Sequence, residues 1–216
     1  MLPNIKVVAF DLDGTLIDSA PGILNSVEYA LTKMGLDIPP RSELLGFIGP
    51  PLLRSFMSII GLSEADATRA IATYREYYAE KGSLECEVYD GVPALLQDLR
   101  ERGVTCVVAT CKPHFFANKI LAHFALDPYF AFVSGPEING TRGEKHEVIA
   151  HAMETLGIAS PTEILMIGDR DNDVLGAKKL GIDCAGALWG FGSREELTQS
   201  GAKYVCPAPS EVAKLF

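Results

Sequence analysis

The chain has too little positive charge to suit a polyanionic partner. Its 216 residues carry 19 Lys and Arg against 28 Asp and Glu, a formal charge of −9. Nucleic acid and anionic membrane both reward clustered basic side chains, so neither a nucleic acid polymer nor a membrane is expected as a partner. No apolar stretch approaches the roughly 20 residues of a membrane span. The run from Val7 to Phe10 is too short for an export signal, and acids follow it at once. Cysteine is sparse: Cys86, Cys106, Cys111, Cys184 and Cys206 are odd in number and lack the C-x-x-C spacing of zinc sites. Reduced thiols in a cytoplasmic protein are the expectation. Internal repeats and low-complexity tracts are missing too.

Several catalytic signatures are also absent. The chain has no G-x-x-x-x-G-K-S/T phosphate loop, no G-x-S-x-G nucleophile turn and no G-x-G-x-x-G opening a helix. No cysteine is followed by Arg six positions later, which excludes a cysteine-nucleophile phosphatase loop. Asp169, Asp171 and Asp173 imitate the start of a calcium-binding EF-hand loop, but Val174 stands in its glycine place and Leu180 in its final glutamate place.

What the chain does contain is a run, Ile5 to Phe10, that reads as a buried strand and ends in Asp11-Leu12-Asp13-Gly14-Thr15. In an open α/β sheet, ligands bind outside the carboxyl ends of the strands. Two carboxylates there need a cation or a shared proton, although Asp and Gly also serve solvated turns. Further runs lie at Val104 to Ala109 and Ile164 to Ile167, with weaker ones around Ala131 to Val133, Cys184 to Ala187 and Lys203 to Val205. A helix from about Pro93 to Arg102 precedes the second run. Another, carrying Val148, Ile149, Ala152, Met153 and Leu156, precedes the third. The alternation predicts a Rossmann-like, doubly wound parallel α/β sheet. Residues 20–85 break it with helical periodicity and no convincing strand, which predicts an inserted all-α domain.

The three clearest strands each end in phosphate or metal chemistry: Asp11 and Asp13, then Thr110-Cys111-Lys112, then Gly168-Asp169 with Asp173 beyond. Brought to one sheet edge, Asp11 and Asp169 could ligate one Mg²⁺, a cation that accepts one or two carboxylates plus substrate phosphate. Thr110 offers a hydroxyl and the amides after it, ahead of a helix opened by Pro113. Lys145, at a helix start, supplies a cation for phosphate. Taken singly, each residue also has an ordinary role: Thr110 as a strand-end cap, Lys145 as a solvated side chain, and Asp169 to Asp173 as helix-capping charges.

The conjunction of Asp11-Leu12-Asp13-Gly14-Thr15, Thr110, Lys145 and Gly168-Asp169-x-x-x-Asp173 resembles the four motifs of the haloacid dehalogenase superfamily, across essentially the whole chain. Ile48 to Leu52, Ala109 to Pro113 and Ile167 to Arg170 are similar to its phosphoglycolate phosphatase-like branch, with Cys111 where that branch more often has Ser or Asn. The resemblance implies a core of residues 1–16 and 88–216 and a C1-type helical cap over 17–87. It implies Asp11 as nucleophile, Asp13 as general acid and base, and metal ligation by Asp11, Asp13 and Asp169, with Asp173 orienting Lys145 or a metal-bound water. Phosphate and substrate contacts fall to Leu12, Gly14, Thr110, Cys111, Lys112 and Lys145, with Arg54 in the cap a further candidate that reads somewhat more readily as a solvated helix face.

The activity implied is Mg²⁺-dependent hydrolysis of a small phosphorylated metabolite, phosphoglycolate-like or 5′-nucleotide-like. A phosphomutase of the same superfamily and a non-catalytic binder of phosphorylated ligands are the alternatives. The segment Trp189-Gly190-Phe191-Gly192 reads either as lining the site or as a turn. Ser193-Arg194-Glu195-Glu196 reads as a capping box and nothing more, and His114 carries no assignment.

Overall fold

A computed structural model of the chain describes residues 2, 4–138 and 141–216. Two compact units divide it, one of residues 1–17 with 88–216 and one of residues 18–87. The larger unit is built on β1 (Val7–Phe10), whose side chains are all buried. Two short strands, β2 (Ile17–Asp18) and β3 (Glu87–Val88), pair with each other. The remaining strands are β4 (Thr105–Ala109), β5 (Phe130–Ser134), β6 (Ile164–Gly168), β7 (Asp183–Ala187) and β8 (Tyr204–Cys206). They join β1 in one sheet of order β5-β4-β1-β6-β7-β8.

Every neighbouring pair in that sheet is parallel. β1 sits between β4 and β6, in register Phe10↔Val108 and Phe10↔Ile167, so the ends of all three strands lie level. Strand order runs outward through β4 and β5 on one side of β1, then through β6, β7 and β8 on the other. The reversal beside β1 is the place where such a sheet opens a ligand crevice.

Both sheet faces are buried, which explains strands that read as continuous apolar runs. On one face Val7, Ala9, Val107, Ala109, Ile164 and Met166 form a core with Val148, Ile149, Val174 and Ala177. Val148 and Ile149 lie on α7 (Lys145–Leu156), and Val174 and Ala177 on α8 (Asp171–Lys179). Both helices therefore start at the carboxyl edge of the sheet. The unit also contains α5 (Val92–Glu101), α6 (His114–His123), α9 (Arg194–Ser200) and α10 (Pro209–Ala213).

The smaller unit contains α1 (Ala20–Met34), α2 (Arg41–Leu44), α3 (Leu52–Ser58) and α4 (Glu64–Glu80). Buried Ile23, Leu24, Val27, Ala30 and Leu31 on α1, and Ala67, Ala70, Tyr74 and Tyr78 on α4, fall at helical spacing. Phe47 packs edge-on against Phe56 with ring centroids 4.8 Å apart.

Candidate active site

Lys145 is where the site is assembled. It opens α7, the wrong end of a helix for a cation, because the exposed amides there carry partial positive charge. Buried carboxylates outweigh that penalty: its Nζ lies 2.9 Å from Asp11 Oδ1 and 2.8 Å from Asp173 Oδ1, and it donates to the Ala109 carbonyl at 3.0 Å. Burial alone pulls the Lys145 ammonium down, but Asp11 and Asp173 hold it well above its usual value.

Asp11 follows β1 directly and is 2 % exposed. Its Oδ1 also accepts the Leu12 amide at 2.8 Å. Burial, reinforced by Asp173 and opposed by Lys145, pushes its carboxyl above the usual range. Asp169, just past β6, is pushed well above that range by burial, with Asp173 and Asp11 adding to the shift. Its Oδ1 accepts from the Thr15 hydroxyl at 3.2 Å and its Oδ2 from the Phe191 amide at 2.8 Å. Asp173 divides its oxygens, Oδ1 toward Lys145 and Oδ2 accepting the Arg170 amide at 3.0 Å.

Asp11, Asp169 and Asp173 each present a carboxylate oxygen, and these oxygens lie within 4.8 Å of one another. The cluster places Asp173 beside Asp11 and Asp169, while the Asp13 side chain turns elsewhere. Asp13 Oδ1 is 2.8 Å from Lys112 Nζ, with both side chains buried. Four buried carboxylates thus face two ammonium groups, and the hard oxygen donors and excess negative charge suit a divalent cation such as Mg²⁺.

Thr110, at the end of β4, is buried and its hydroxyl accepts the Lys112 amide at 3.1 Å. Cys111 is partly buried, and burial pushes its thiol up to about 12. Lys112, expected at the phosphate, is thus engaged with Asp13. Gly14 has φ +81°, and a Cβ there would meet Asp169 Oδ2 at 2.2 Å, so only glycine admits this approach. Arg54 is exposed on α3 of the smaller unit.

One open reading closes and one needs revision. Trp189 to Gly192 packs against the site: the Trp189 indole N–H donates to the Thr15 carbonyl at 2.9 Å, and the Phe191 amide holds Asp169. Ser193 does cap α9 by accepting the Glu196 amide at 3.1 Å, yet the Glu196 side chain turns to other partners. Its Oε1 accepts from Arg170 Nε at 2.8 Å and from the Asp171 amide at 2.9 Å, tying α9 to the turn after Asp169. Phe191 acts through its main chain and leaves no residue-type signature. A tryptophan flanked by two close glycines was the available signal for this loop.

Residues 8–187 match the sequence profile of the haloacid dehalogenase-like hydrolases. A 5′-nucleotidase of Pseudomonas aeruginosa is 46% identical over 94% of this chain and 90% of its own length. The tyrosine-protein kinase PtkA of Mycobacterium tuberculosis is 38% identical over 94% of this chain and 69% of its own. A phosphoglycolate phosphatase of Vibrio parahaemolyticus is 28% identical over 98% and 96%. The crystal structure of a predicted phosphatase from Clostridium acetobutylicum superposes with a TM-score of 0.94 at 45% identity, covering 98% of this chain and 97% of that one. The chain belongs to the haloacid dehalogenase-like hydrolase family.

Proposed function

We propose that the protein is a Mg²⁺-dependent phosphatase that hydrolyses small phosphate monoesters through an aspartyl-phosphate on Asp11. The observation that carries this reading is the buried Lys145 held between Asp11 and Asp173, beside Asp169. Asp11 is the nucleophile: its carboxylate oxygen forms a bond to phosphorus as the ester oxygen leaves. Asp13 gives that oxygen a proton, then takes one from the water that attacks the aspartyl-phosphate and releases inorganic phosphate. Lys112, 2.8 Å from Asp13, keeps this second carboxylate directed away from Lys145.

Lys145 fixes Asp11 in line and faces the charge on the transferring group. The Thr110 hydroxyl, whose oxygen already accepts from the Lys112 amide, turns its proton to a phosphate oxygen. Asp11 and Asp169, with Asp173 in the same cluster, would hold Mg²⁺, which would supply positive charge to the phosphoryl oxygens. Residues 17–87 are assigned as the cap that selects the substrate.

A phosphate-release screen with and without Mg²⁺, over nucleoside monophosphates, phosphoglycolate, sugar phosphates and pyrophosphate, tests the reading. Nucleoside 5′-monophosphates rank first because the Pseudomonas relative named 5′-nucleotidase shares 46% identity. Mg²⁺-dependent release from at least one monoester is expected; no release from any of them would overturn it.

A further inference from the structure

Both carboxylate oxygens of Asp169 are occupied, and both donors lead to one loop. Oδ2 accepts the Phe191 amide directly. Oδ1 accepts the Thr15 hydroxyl, and the carbonyl of that same Thr15 accepts the Trp189 indole N–H. Thr15 is fully buried, so its end of each bond is shielded from water. The loop from Leu188 to Ser193 therefore grips Asp169 twice, once through its own backbone and once through the β1 loop.

The grip is close and anchored at both ends. A Cβ on Gly190 would fall 2.2 Å from the Gly14 carbonyl oxygen and 2.4 Å from Asp169 Cβ, so backbone presses directly on the turns that follow β1 and β6. The Leu188 amide donates to the Cys206 carbonyl at 2.9 Å on one side. On the other side Ser193 caps α9, whose Glu196 holds Arg170 and the Asp171 amide. A carboxylate fixed at both oxygens has little rotamer freedom left to lose, and each oxygen keeps a lone pair for another partner.

We propose that Trp189 is a positioning residue for the divalent ion: with Thr15 and the Phe191 amide it forms a clamp that sets the affinity of Asp169 for Mg²⁺. The clamp rests on the reading that Asp169 holds the ion, and acts through Asp169 without touching substrate. Groups that orient a metal ligand from behind commonly account for about 10–100-fold in metal affinity.

The test is Mg²⁺ titration calorimetry on the full chain, paired with thermal unfolding in EDTA. Trp189→Phe removes the indole donor and Thr15→Val removes the hydroxyl at nearly constant shape. Each is expected to weaken Mg²⁺ binding about 10–100-fold, and Thr15→Ser, which keeps the hydroxyl, should bind close to wild type. Asp169→Asn should bind no Mg²⁺ in the measurable range. If Asp169→Asn binds like wild type, the metal reading falls and the clamp with it. If Asp169→Asn loses binding while Trp189→Phe and Thr15→Val keep wild-type affinity, the clamp alone is overturned, even where their unfolding temperature in EDTA drops. Should Thr15→Val fail to fold, Trp189→Phe decides by the same criterion.

Discussion

At the scale of single residues, Asp13 and Lys145 give the most separable predictions. Asp13→Asn removes the group proposed to protonate the departing alcohol, so an alkyl phosphate should lose far more activity than a nitrophenyl phosphate, whose leaving group needs no proton. Equal losses in the two assays would remove Asp13 from that role. Lys145→Ala leaves Asp11 and Asp173 buried without their shared cation. Breaking a buried pair from one side costs about 3–5 kcal/mol, which a urea titration would read as a lower midpoint at unchanged slope. Asp11, Asp13, Thr110, Lys145 and Asp169 were legible because each sits at a strand end or helix start where its chemistry is conspicuous. Their main-chain partners were not: the Phe191 amide and the Ala109 carbonyl carry no mark of residue type. The pairing of Lys112 with Asp13 was equally hidden, since sequence places Lys112 beside Thr110 and says nothing of where its amine reaches.

At the scale of elements, α7 carries Lys145 at its first position and fastens itself to the sheet through Val148, Ile149 and Ala152, all fully buried. Ser134 adds a hydroxyl bond to the Val148 carbonyl at 2.7 Å, fixing α7 against the end of β5. Ile149→Ala empties part of this contact and should destabilise the protein by about 2–5 kcal/mol in chemical denaturation. Because the helix start is also held by Asp11 and Asp173, Mg²⁺ affinity should change by less than about threefold. A collapse of affinity equal to that of Asp169→Asn would show that the site depends on packing more than on its own ion pairs. β1, β4 and β6 were readable from their apolar runs, as was the helix before β4. Helix α2 and the paired strands β2 and β3 were not, because elements of two to four residues are too short to show a period.

At the scale of the whole molecule, a sheet with helices on its faces followed from alternation alone, but the order β5-β4-β1-β6-β7-β8 did not. Pairing of parallel strands is decided between segments far apart in sequence, and a local pattern holds no record of it. The same order gathers Asp11, Asp13, Asp169 and Asp173 into one buried edge of a chain already at −9. Asp11 and Asp169 have native pKa values raised above the unfolded carboxyl value, Asp169 strongly so. The metal-free native state therefore binds these protons more tightly than the unfolded chain. Its stability is greatest below about pH 4 as far as these two groups are concerned, and falls as pH rises through their native values. Mg²⁺ favours the ionised carboxylates, so the rise in unfolding temperature it produces should grow over the same interval and then level off. Differential scanning calorimetry in EDTA and in excess Mg²⁺ across that range checks this, and a pH-independent difference would argue against metal binding at these carboxylates.

The central claim is that Asp11 carries the phosphoryl group, and acid-quenched mass spectrometry during turnover of an aryl phosphate with Mg²⁺ tests it most directly. The account predicts one added phosphoryl group on the peptide containing Asp11, labile to hydroxylamine and absent from Asp11→Asn, which should fold normally and turn over more than about a thousandfold more slowly. Phosphate released at the wild-type rate by Asp11→Asn, or a phosphoryl group trapped on any other residue, would contradict it.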